Sequence, residues 1–247
     1  MVGGGHSLGS SLGVLRSLPE LGVTGLTLTH TCPTPWAESA TSSDQPANTR
    51  GLTQFGKDLV LEMNRLGLLV DVSGSSAATS RDAMFVSRAP VIFNNAFTRA
   101  KCPTLAPTAV DDDIISRLSR NGGVVLVSLT RGSNGSQNSC GHNQSVAAVL
   151  EHINYIRKSA GVKHIGIGST DDPARYALLV AELMKDPSWT SSDLHQLLGG
   201  NLLRVLDAVH QVRDEMASNE PSEELIPIHD INDRWPCRYK FGSLPSR

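Results

Sequence analysis

Histidine or carboxylate side chains at the carboxyl ends of buried strands are the groups that could hold a metal ion or move a proton in this chain of 247 residues, and few positions qualify. His30 follows the first short β-branched run. Asp71 lies within the second, ahead of Ser73 and Gly74, and Asn94 and Asn95 end the third. The fourth ends at Thr130, and Asp171 and Asp172 follow the fifth. A hydrolytic zinc site needs at least three nitrogen, sulfur or carboxylate ligands converging, with one more position open for water. His30, Asp171 and at most Asp172 are on offer, and each has a competing duty. A histidine at a strand end also packs or caps, and an aspartate ahead of Pro173 also opens a helix as its N-cap. His142, His152, His195, His210 and His229 show no metal-ligand spacing and read as surface or core residues. No serine sits in a nucleophile-elbow sequence and no Cys-x-x-Cys pair occurs, so covalent catalysis has no support. The cluster Gly3-Gly4-Gly5 lacks a Walker lysine and the full dinucleotide fingerprint, which leaves a tight turn.

The elements that must position these groups are legible in the hydropathy pattern. Buried-strand runs fall at 25–30, 68–73, 90–94, 123–129 and 164–168, separated by amphipathic stretches near 7–18, 53–66, 76–87, 111–121 and 145–160. Strand and helix in alternation predict a parallel sheet with crossover helices, an α/β fold. After Trp189, apolar residues from Leu194 to Val209 recur at helical spacing, predicting one continuous helix opened by a capping box of Thr190 and Asp193. Beyond Glu215 the pattern fades into Ser, Asn, Glu and Pro. The expected organisation is therefore a domain over 1–216 and a loosely attached tail over 217–247.

Composition narrows the function class. With 19% charged residues and a net charge of −2, the chain has no basic footprint for nucleic-acid phosphates. The longest apolar runs fall well short of the roughly 20 residues that span a bilayer. The first residues lack the pattern of a secretory leader, so a cytoplasmic location is expected, with the glycosylation patterns at Asn134 and Asn143 left unmodified. Spacing alone reads Cys32, Cys102, Cys140 and Cys237 as ordinary thiols.

Several longer stretches together resemble the zinc-dependent membrane (renal-type) dipeptidases. They include Leu26-Thr-Leu-Thr-His-Thr-Cys-Pro-Thr-Pro-Trp-Ala-Glu-Ser, Gly51-Leu-Thr-Gln-Phe-Gly, Glu62-Met-Asn-Arg-Leu-Gly-Leu-Leu-Val-Asp-Val-Ser, Ala89-Pro-Val-Ile-Phe, Asn121-Gly-Gly-Val-Val-Leu-Val-Ser-Leu, Ile165-Gly-Ile-Gly and Gly200-Asn-Leu-Leu-Arg-Val. The resemblance runs in order over residues 2–215. It implies a (β/α)8 TIM-type barrel, here partial and lacking its N-terminal strands. It further implies a two-zinc site at the carboxyl-end face, hydrolysis of dipeptides, and a glycolipid-anchored, disulfide-linked dimer.

Carried over residue by residue, the resemblance places the family's first ligand pair before Met1 and its metal-bridging glutamate at Gly3. The two histidines of the second metal fall at Gly74 and at Asn94 or Asn95. The arginine that binds the substrate carboxylate has no match, and the acid–base aspartate falls at Thr170, or at Asp171 if the loop slips by one. His30 keeps the family's substrate contact. Cys102 and Cys140 resemble the family's internal disulfide, and Cys32 is expected to have lost its partner. Glycine carries no ligand atom and asparagine offers zinc only a weak neutral oxygen. The expectation is a catalytically inactive dipeptidase-like protein with an interaction or regulatory role and no cofactor. The alternative is a zinc-dependent hydrolase acting on dipeptides through a degenerate site built on His30, Asp71 or Asp171. A barrel short of strands leaves an open sheet edge, which predicts self-association or a protein partner.

Overall fold

The computed structural model describes residues 1–30, 32–41, 51–101, 109–129, 145–169 and 172–231. Five strands form one parallel sheet in chain order: β1 (Gly25–Thr27), β2 (Leu69–Asp71), β3 (Ile92–Ala96), β4 (Val124–Val127) and β5 (Ile165–Ile167). The register aligns Thr27 with Asp71, Asp71 with Ile92, Phe93 with Val125 and Val127 with Ile167. Val2 adds a parallel bridge on the outer side of β1, opposite Leu26. Four strands fall inside their expected runs and are shorter, whereas β3 starts two residues into its run and extends two residues past it, to Ala96. After Thr27, for example, only single bonds such as Leu28 N–H to the Asp71 carbonyl, 2.9 Å, continue the ladder.

Helix α1 (Leu12–Glu20) precedes β1, and α2 (Gln54–Leu66), α3 (Ala77–Val86), α4 (Asp112–Asn121) and α5 (Val146–Ala160) fill the intervals between strands. Most start the same way. The hydroxyls of Ser11, Thr53, Ser76 and Ser145 each accept a backbone N–H three residues on, satisfying a donor that the helix itself leaves orphaned. Their apolar faces close on one side of the sheet in a core that includes Leu15, Phe55, Leu59, Val70, Phe93, Ile115, Val125 and Ile153. Trp36 is fully buried in that core, and a Cβ at Gly5 would stand 2.5 Å from its ring, so the glycine turn is also what admits the indole.

The chain ends in α6 (Ala174–Leu183), α7 (Ser191–His195) and α8 (Asn201–Glu215). Asp172 accepts the N–H of Ala174 at 3.0 Å and so opens α6. The Thr190–Asp193 capping box is present. The single helix expected after Trp189 is corrected: Gln196–Gly200 form a π-helical turn, because Gly199 leaves the helical conformation. That bend leaves Leu198 exposed and lets α8 cross beneath the amino-terminal ends of the strands. Val205, Val209 and Val212 bury there against Leu69, Ile92 and Val124, and Asn201 Nδ2 donates to the carbonyls of Val162 and Ile165, 2.7 Å each. Arg204 reaches the carbonyls of Gly122 and Lys163 at 2.8 and 2.9 Å. Past α8 the chain runs back along α2 and α1, where Arg16 donates to the Ser222 carbonyl at 2.8 Å and Ile226 packs on the main core. Among the described residues, no helix is long and apolar enough to cross a membrane.

Candidate functional site

At the end of the sheet opposite α8, a cavity of about 460 Å³ opens above β1, β2 and β3. Gly3, His30, Asp71, Gly74, Asn94 and Asn95 all line it. The positions singled out in the sequence as vestigial site residues therefore share one cleft, with the exception of Asp171, which lies outside the described residues together with Thr170.

Asp71 forms the base of the cleft and is 1% exposed. Its Oδ2 accepts the Thr27 hydroxyl at 2.7 Å, and its Oδ1 accepts the N–H of Ser73 at 3.0 Å and of Asn94 at 3.3 Å. The Ser73 hydroxyl sits 2.5 Å from Oδ1 and 2.8 Å from the Asn94 carbonyl, donating to one of them at a time. Burial pushes the Asp71 carboxyl above the usual aspartate range, and the bonds from Ser73, Thr27 and Asn94 counter this only in part. These donors fasten the ends of β1, β2 and β3 together, which makes Asp71 a structural node.

Asn95 has left-handed backbone geometry, φ 54°, and its Oδ1 accepts both the N–H and the hydroxyl of Ser169 at 2.7 Å. His30 is exposed at the rim. On the far wall Arg99 pairs through Nε with Asp111, the residue that precedes α4. Below this wall, His152 Nδ1 accepts the Thr98 N–H at 3.2 Å and lies 2.9 Å from its hydroxyl. Burial lowers the His152 imidazole to about 4; the Glu151 charge opposes this to a smaller extent and the Lys101 charge adds to it. Sequence reading did not find the Arg99–Asp111 wall, since a pair so separated leaves no local pattern. Ser73 two residues after Asp71 carried a usable signal, the side-chain-to-backbone turn that aspartate favours.

Among the described residues, those that line the cleft do not make a two-metal ligand set. Gly74 has φ 71°, and a Cβ there would stand 2.7 Å from the His30 carbonyl oxygen, so the backbone has closed over the space that a ligand side chain at this position would need. Gly3 is different, with no atom within 4 Å of where its Cβ would be. The Asp71 oxygens and Asn95 Oδ1 are already engaged by N–H and O–H donors. Among the described residues, no three His, Cys, Asp or Glu side chains converge to hold a metal ion. Cys102 and Cys140, and with them their implied disulfide, lie outside the described residues. Cys32 is disulfide-bonded, which corrects the expectation that it had lost its partner.

Comparison with known proteins bears on this cleft. A family model described as membrane dipeptidase (peptidase family M19) matches residues 1–220. The chain is 42% identical over 244 residues to Dipeptidase 3 of Homo sapiens, covering 94% of this chain and 49% of that protein. It is 36% identical over 232 residues to Dipeptidase aclJ of Aspergillus oryzae, covering 90% of this chain and 53% of that one. The chain thus spans about half the length of the curated relatives it matches. Among solved structures, the probable dipeptidase PvdM from Pseudomonas aeruginosa gives a TM-score of 0.75 at 20% identity, over 85% of this chain and 68% of that one. A metallo peptidase from Rhodobacter sphaeroides, liganded with a phosphinate mimic of the dipeptide L-Ala-D-Ala, gives 0.68 at 20% identity over 81% and 60%. At these identities the structural matches establish the fold, that of a partial α/β barrel.

Proposed function

The chain belongs to the membrane dipeptidase family, peptidase family M19, and on that premise we propose that it keeps the family's cleft without its hydrolytic metal chemistry, acting as a dipeptidase-like binding or regulatory protein. The observation that carries this reading is Gly74. Loss of supporting groups around a metal weakens affinity or activity about 10–100-fold. Here the position to which the resemblance assigns a ligand lacks a side chain, and a Cβ there would stand 2.7 Å from the His30 carbonyl oxygen. Metal content and turnover of a dipeptide library, measured on one purified sample, test the proposal. Sub-stoichiometric zinc and no turnover are expected, and one or more equivalents of zinc with turnover would overturn it.

A second reading draws on His30, whose exposed side chain lines the cleft within the same cavity as Asp71. It is a zinc-dependent hydrolase acting on dipeptides through a degenerate site. Dipeptide turnover abolished by His30→Ala would promote it.

A further inference from the structure

Asn95 is a non-glycine residue at φ 54°, a conformation that asparagine tolerates better than most residues but that still costs free energy. Its side chain explains why the conformation persists. From the end of β3 the carboxamide oxygen passes over β4 and accepts both the N–H and the hydroxyl of Ser169, just beyond β5, at 2.7 Å. The receiving side is shaped for it. A Cβ at Gly168 would lie 2.7 Å from Asn95 Oδ1, so glycine there admits the carboxamide. The same turn is held from α6 by the Tyr176 hydroxyl donating to the Gly168 carbonyl at 2.9 Å, and from the segment just past β4 by Leu129 N–H donating to the Ser169 carbonyl at 2.9 Å.

We infer that Asn95 is a positioning strut: it ties the ends of β3 and β5 across β4, and with the Asp71 node gives the cleft rim a fixed shape that needs no metal ion. The inference rests on the metal-free reading of the cleft given above. A bound divalent ion cross-links strand ends through its ligands, and here neutral hydrogen bonds span the same end of the sheet.

Amide hydrogen exchange at Ser169 in the intact chain tests the strut, because that N–H is one of the bonds claimed. Asn95→Gly keeps the left-handed backbone without strain and deletes the acceptor, whereas Asn95→Asp keeps an acceptor oxygen. Exchange at Ser169 is expected to rise about tenfold in Asn95→Gly. It should stay at the wild-type value in Asn95→Asp and in wild type treated with EDTA. An unchanged rate in Asn95→Gly, or a rise on adding EDTA, overturns the strut. The zinc and turnover assays fail separately. Zinc found in the cleft while only Asn95→Gly deprotects Ser169 would sink the metal-free reading and leave the strut standing.

Discussion

Arg65 closes a fork on Glu62: its Nε and Nη2 each donate to one carboxylate oxygen at 2.8 Å, and the Glu62 side chain is only 2% exposed. Arg16 on α1 approaches the same carboxylate at 3.6 Å, and the Ser222 N–H donates to it at 3.4 Å. One buried acid therefore joins α1, α2 and the segment that follows α8.

Arg65→Ala would leave the Glu62 carboxylate buried without its principal partner, and a loss of about 2 kcal/mol is expected. The change is read as a lower urea midpoint with an unchanged slope. Burial alone raises the Glu62 pKa, but the bonds from Arg65 and Ser222 and the charges of Arg65 and Arg16 outweigh it and leave it below the ordinary value near 4.5. A depressed acid stabilises the fold above its unfolded pKa, and that contribution fades as pH falls below about 4.5. Glu62→Gln should flatten the stability profile in that range.

His152 acts in a different window. Its folded pKa of about 4 lies below the ordinary 6.5, so between those values the unfolded chain binds the proton and the folded one does not. Stability is then complete above pH 6.5 and falls as pH drops toward 4. The loss amounts to about 3 kcal/mol. His152→Asn should remove most of the slope in a series of thermal melts across that range, and an unchanged slope would show that another group carries it.

The two glycines of the cleft are expected to respond oppositely. Gly74→His forces a side chain onto the His30 carbonyl at positive φ, and should destabilise by about 2–3 kcal/mol without conferring zinc binding. Gly3→Glu enters open space and should change stability by no more than about 0.5 kcal/mol. Paired melts and a zinc titration of each variant check both.

Among the described residues β5 ladders only with β4, which leaves a parallel edge open. Such an edge is a template for another chain. Sedimentation across a concentration series should show species heavier than the monomer, and a single monomeric species throughout would count against it.

Much of this architecture is readable from residues alone, since strands and helices buried on known faces impose their periods directly. The five strands follow from that, and the Thr190–Asp193 capping box follows from its residue types. The bend at Gly199 does not, because the leucines on either side of it keep a helical spacing whether or not the backbone does. In the cleft, the expected ligand positions Gly3, Gly74 and Asn94 or Asn95 can be read position by position from the family resemblance. Their consequences cannot: that Gly74 has closed against His30, or that Asn95 has taken up Ser169 as its partner, depends on contacts between strands 40 or more residues apart in the chain for the first pair and 74 for the second.

The helix beneath the sheet has a bearing on synthesis. Because α8 supplies the valines and the Asn201 and Arg204 donors that cover the strand starts, a nascent chain emerges from the ribosome with the five described strands made and their underside still wet. Until residue 212 is free to dock, Leu69, Ile92 and Val124 stay open to chaperones or to neighbouring polypeptides, so the interval between translation of β5 and docking of α8 is when this protein is most prone to misassemble.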